Sequence, residues 1–130
     1  GRTQSFADYL HAQQQRARIC QEAVAVLKQV DVIVMPTGST FGDDWNAETV
    51  TIRGSERTAR SRAVYRNGLA SLTGHPALSV PCGFGLENTF PIGLMLQGRP
   101  LEESLLYQAA YAYEQATEWH KRHPSLLLDR

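Results

Sequence analysis

A chain of 130 residues holds one domain's worth of sequence, enough for a modest hydrophobic core. Thirteen basic and thirteen acidic residues cancel, so the composition carries no electrostatic footprint for nucleic acid or an anionic membrane. With 42% apolar residues, no bilayer-length apolar run and two well-separated cysteines (Cys20, Cys82) lacking metal-ligand neighbours, the expectation is a folded cytoplasmic protein with reduced thiols.

Taken in order, Ser5 to Gln29 is helical in pattern. Phe6, Tyr9, Leu10, Ala17, Cys20, Val24 and Leu27 recur at three- and four-residue steps and should face a core. Ser5 suits an N-cap, with Asp8 in the place of a capping-box acid. The helix starts almost at once after Gly1, which suggests a piece of something longer. Asp31 leads into Val32–Met35, a continuous apolar strand stopped by Pro36. From Thr37 to Ser61 no period is sustained, and a loop of that length in a compact domain is expected either to cover a pocket or to be partly disordered. Thr49 to Ile52 alternates weakly, as a short strand would. Thr58 to Leu72 reads as helix, with Gly68 a weak point.

The segment from Ser71 to Gly83 reads as a helix end, a tight turn, a strand and a second turn. Gly74 supplies a left-handed helix C-terminus, and His75 is driven out of helical geometry by Pro76. Ala77 to Val80 is a small, branched apolar run that fits a strand buried on both faces. Pro91 to Gln97 is another strand, with Gly93 inside it where a close backbone approach is expected. Leu101 to Lys121 is the clearest helix, acidic at its start and basic at its end, as the helix dipole favours. Helices alternating with apolar strands define an α/β class.

The chemistry these residues support by themselves is thin. Hydrolysis needs a nucleophile, a base and an oxyanion site. No serine sits in a Gly-X-Ser-X-Gly elbow, and Lys28 and Lys121, the only lysines, lie near helix ends where solvent keeps them protonated. His120 and His123 are read as a solvated pair and Cys82 as a structural thiol. Arg16 is the one charge on the apolar stripe of the first helix. It is either a snorkelling side chain at the edge of that stripe or a guanidinium aimed into a pocket towards a carboxylate or carbonyl.

Four blocks together resemble the C-terminal region of amidase signature enzymes. They are Asp31-Val-Ile-Val-Met-Pro-Thr37, Leu72-Thr-Gly-His-Pro-Ala-Leu-Ser-Val-Pro-Cys-Gly83, Phe90-Pro-Ile-Gly-Leu-Met-Leu-Gln-Gly98 and Ala112-Tyr-Glu-Gln-Ala-Thr117. That family includes bacterial amidases, allophanate hydrolase and the A subunit of glutamyl-tRNA(Gln) amidotransferase. The resemblance implies the C-terminal part of a mixed β-sheet flanked by helices, with residues 1–130 as one portion of a larger domain. It also implies amide C–N hydrolysis through a serine acyl-enzyme, with a second, cis-serine and a lysine base in a glycine- and serine-rich half upstream. No catalytic residue is therefore carried over, and the fragment is expected to be inactive alone.

Two substrate-binding positions are carried over. Arg16 matches, by its Ala-Gln-X-X-Arg context, an arginine that holds a substrate carboxylate, and Thr37 stands where the substrate-facing loop begins. Ser71 and Glu102 depart from the family's usual Asn and Asp. The expected partner is a small-molecule amide, with no cofactor, no metal, no direct nucleic acid and no membrane. Strand edges and apolar faces left open would favour a homo-oligomer. The alternative is a non-enzymatic α/β module that binds a partner through those edges.

Overall fold

The computed structural model describes residues 3–38, 46–52, 54–59, 68–85 and 90–122. Helix α1 runs Phe6–Leu27 and opens on a complete capping box. The Asp8 amide donates to Ser5 Oγ at 3.2 Å, while the Ser5 amide and hydroxyl donate to Asp8 Oδ2 at 2.9 and 2.8 Å. The two backbone amides left orphaned at Ser5 and Asp8 are thereby satisfied.

The apolar stripe of α1 does not face a core along its length. Ala23 and Leu27 are its buried residues, whereas Phe6, Tyr9 and Leu10 are 74, 57 and 47% exposed. The periodicity that forms the helix is present, but every residue from Phe6 to Arg18 is exposed. Phe6 and Tyr9 instead stack on each other at 6.4 Å.

Strand β1, Ile33–Pro36, follows α1. The weakly alternating Thr49–Ile52 is a real strand, β2, and it pairs antiparallel with β3, Ser55–Thr58. The hairpin adds β3 to the short strand expected at Thr49–Ile52, within a segment that otherwise reads as loop, and β3 takes Thr58 away from the helix predicted to begin there. The signal is hidden because β3 is exposed at all four positions and so carries no apolar alternation. Residues 68–73 are helical. They end as predicted at Gly74, whose φ of +73° suits glycine and whose amide donates to the Ala70 carbonyl at 2.8 Å.

Strand β4 is longer than predicted, Ala77–Phe84, with a bulge between Pro81 and Gly83. Strand β5 spans Pro91–Gln97. The three-stranded sheet has the order β1-β5-β4 with both pairings antiparallel. Pro81 is tolerated because β4 is an edge strand of this sheet, where a missing amide breaks no ladder on its outer side.

Helix α2, Glu103–Gln115, lies across one face of that sheet. Val80 and Leu96 from the sheet and Leu106 and Ala110 from α2 form the core, extended by Val32, Leu78, Leu94, Ala109 and Tyr113. The helix is shorter than the predicted span to Lys121. After Thr117 the chain turns into a single 3-10 turn, Trp119–Lys121. There Trp119 packs on Phe84 at 6.1 Å, and Arg122 sits over the same Phe84 ring at 4.6 Å.

The opposite face of the sheet corrects a second expectation. Met95 and Gln97 are buried there, but Ala77 and Ser79, on the edge strand, are exposed. The strand predicted to be covered on both sides is therefore covered by α2 on one side and left open at Ala77 and Ser79 on the other. Among the described residues no helix is long and apolar enough to cross a membrane.

Candidate functional site

The open face of the sheet is organised by its register. Pairs Met35–Met95 and Pro36–Leu94 bring Thr37 beside Gly93, where the Thr37 amide donates to the Gly93 carbonyl at 2.8 Å. On the other side of β5, Ser79 pairs with Met95 and Pro81 with Gly93. Thr37, Gly93 and Ser79 thus share the face that α2 does not cover. Thr37 Oγ1 and Ser79 Oγ lie 2.6 Å apart, a short hydroxyl–hydroxyl hydrogen bond. An added Cβ on Gly93 would stand 2.7 Å from both oxygens. The absent side chain is what lets the two hydroxyls meet.

Arg16 is on the exposed part of α1, and its Nε donates to the Leu72 carbonyl at 2.8 Å. Leu72 is in the last turn of the helix at 68–73, whose free carbonyls attract a cation. The guanidinium is therefore engaged with a carbonyl, one of the two partner types its position suggests. Cys20 Sγ approaches the same carbonyl at 4.0 Å. Arg16 and Thr37 are held by separate partners, and among the described residues no hydrogen bond joins their two sites.

On the same face of the sheet, at the end of β5, lies a buried polar group. Gln97 is fully buried, and its Nε2 lies 3.4 Å from His75 Nδ1 and 3.5 Å from Thr73 Oγ1. Thr73 Oγ1 in turn donates to the Leu69 carbonyl at 2.7 Å. This network docks the end of the helix at 68–73 onto β5.

Three positions matter here that sequence reasoning does not single out. Ser79 reads only as part of a strand, although Gly93 is marked as a point of close approach. Gln97 reads only as a strand end. Arg99 reads only as part of the Gly98-Arg99-Pro100 break that ends the β5 strand, yet it holds α1 to the start of α2. Its Nη1 donates to the Leu27 and Val30 carbonyls at 2.7 and 3.2 Å, Nη2 to Asp31 at 3.2 Å, and Nε to Glu102 at 2.7 Å. The bonds to Glu102 and Asp31 raise the Arg99 pKa above its ordinary value. No local pattern announces these roles, because every partner but Glu102 lies far along the chain.

Titratable groups are otherwise dispersed. Lys121 is paired with Glu118, holding that carboxyl below its usual range, and Lys28 is the exposed C-cap of α1. Among the described residues no three His, Cys, Asp or Glu side chains gather as a metal site. The one serine that meets a titratable side chain among them is the capping Ser5. Ser39, Ser61 and Ser125 lie outside the described residues.

The class defined by this arrangement is an α/β layer: an antiparallel sheet backed by a helix on one side and displaying a hydroxyl pair on the other. The chain belongs to the Amidase family, whose profile matches residues 1–107. It is 44% identical over 124 residues to the A subunit of the glutamyl-tRNA(Gln) amidotransferase of Cyanothece sp. (strain PCC 7425 / ATCC 29141), covering 92% of this chain and 24% of that protein. Identity to the corresponding protein of Nostoc sp. (strain PCC 7120 / SAG 25.82 / UTEX 2576) is also 44%, with the same coverage.

Among solved structures, a crystal structure described as an amidase superposes with a TM-score of 0.78 at 23% identity, over 89% of this chain and 26% of that one. The glutamyl-tRNA(Gln) amidotransferase A subunit from Thermotoga maritima superposes with a TM-score of 0.56 at 28% identity, over 78% and 21%. The chain thus spans about a quarter of the length of the relatives it matches.

Proposed function

We propose that this chain is the C-terminal portion of a larger amidase signature domain in a cytoplasmic enzyme, and that the enzyme hydrolyses an amide C–N bond through a serine acyl-enzyme. The observation that carries the reading is the family match across residues 1–107 in a chain spanning about a quarter of its relatives. In this reading the nucleophilic serine, the cis-serine and the lysine base belong to the remaining part of the parent. The present chain supplies sheet, core and substrate-facing residues. Thr37 meets the substrate from the end of β1, and Arg16 offers the guanidinium nitrogens not bonded to Leu72. The acyl-enzyme route needs no metal or organic cofactor.

The test is release of ammonia from benzamide and from glutamine, assayed for the full-length parent and for the 130-residue chain alone. The parent should turn over and the chain should not. Turnover by the chain that vanishes when one of its own serines is substituted would contradict the reading. A second reading, the A subunit of a glutamyl-tRNA(Gln) amidotransferase, is favoured by the 44% identity to such proteins. A parent that hydrolyses glutamine in preference to benzamide supports it, and the reverse preference supports a general amidase.

A further inference from the structure

The Thr37–Ser79 hydrogen bond is unusual in where it forms. In the order β1-β5-β4 the two residues belong to opposite sides of the central strand, and strands two places apart are separated by about 9–10 Å. Side chains on them do not ordinarily meet, since a residue of the central strand stands between. Here that residue is Gly93, and the hydroxyls close over it at 2.6 Å. Glycine inside a central strand weakens it, so local stability does not account for the choice.

Both hydroxyls are also free of backbone duties. The Thr37 amide is satisfied by Gly93, and among the described residues neither side-chain oxygen has another partner. One hydrogen is used between the two oxygens. The couple therefore keeps one hydrogen to donate and lone pairs to accept. Ser79 is exposed and Thr37 half-buried, so the couple opens outward rather than into the core.

The geometry points to Ser79 as a positioning residue: through Thr37, across Gly93, it fixes a donor–acceptor couple that recognises the planar carboxamide of the substrate. A carboxamide brings a carbonyl that accepts and an N–H that donates, the complement of what the hydroxyl couple offers. The proposal rests on the amidase reading above and deepens it by giving Thr37 a partner and a polarity.

The experiment uses the full-length parent enzyme with matched amide and ester substrates, comparing wild type with Ser79→Ala, Ser79→Thr, Thr37→Val, the Ser79→Ala/Thr37→Val double variant and Gly93→Ala. Loss of one hydrogen bond in binding is expected to raise KM for the amide on the order of fivefold in Ser79→Ala, with kcat nearly kept. The ester, which has no N–H to donate, should be affected less. Ser79→Thr should restore the amide KM. The double variant should be no worse than Thr37→Val, because Ser79 acts through Thr37, and Gly93→Ala should reproduce the Ser79→Ala defect.

Equal effects on amide and ester, or independent additive losses at Thr37 and Ser79, would overturn the positioning role while leaving the amidase reading standing. A wild-type parent that turns over no amide would remove that reading and this proposal with it.

Discussion

Arg16 shows how a single residue is resolved by its surroundings. Its place on an apolar stripe leaves two readings open, and the fold supplies a carbonyl at the end of another helix, 56 positions along the chain. That bond clasps α1 to the helix at 68–73. In the full-length parent, Arg16→Gln should lower stability by about 1 kcal/mol, the net worth of one hydrogen bond, measurable by urea denaturation. If the same guanidinium also holds a substrate carboxylate, KM should rise more for glutamine than for an uncharged amide. Equal KM changes for the two substrates would leave Arg16 with the helix clasp alone. Thr37 is legible as the residue after β1. Its hydroxyl partner is not, because Ser79 comes into reach only through a register shared by three strands.

Among the elements, α1 is the one whose start is most completely legible in the sequence. A Ser followed three residues later by an acid before an apolar run is a local signature, and all three of its hydrogen bonds are present. Ser5→Ala should cost about 1 kcal/mol of helix stability. The bonds from the Ser5 amide and then its hydroxyl hold the Asp8 carboxyl below its ordinary pKa of 3.8. A group depressed in the folded state adds stability above its unfolded pKa and loses it as pH falls through the folded value. Helical ellipticity should therefore fall as the solution is acidified below that ordinary value, and Asp8→Asn should flatten the dependence. An unchanged acid profile in Asp8→Asn would show that the capping box carries no such coupling. The attachment of α1 to α2 is invisible at this scale. Arg99 reaches back to Leu27, Val30 and Asp31, and no window of neighbouring residues contains both ends.

For the molecule as a whole, the exposed apolar surface is the dominant feature. Phe6 at 74%, Tyr9 at 57% and Val34 at 55% exposure lie on two different elements, the first half of α1 and the edge strand β1. Exposed apolar side chains and an unpaired strand edge both favour association. In light scattering the 130-residue chain should run above the 14.5 kDa of a single copy, and the Phe6→Ser/Tyr9→Ser variant should shift it towards that mass. A monodisperse single copy of the unsubstituted chain would defeat the expectation.

By itself, the sequence determined the α/β class, the capping box on α1, the stop at Gly74, the span of β5 and the family blocks. Each rests on short-range pattern or on a string of residues readable in one dimension. Only the tertiary structure decided which faces are covered, that β3 completes a hairpin, that α2 gives way to a 3-10 turn, and that Thr37 and Ser79 meet over Gly93. Burial and cross-strand contact depend on what lies opposite in space. Strand β4, read as buried on both faces, stays open at Ala77 and Ser79 because among the described residues α2 covers only its other face.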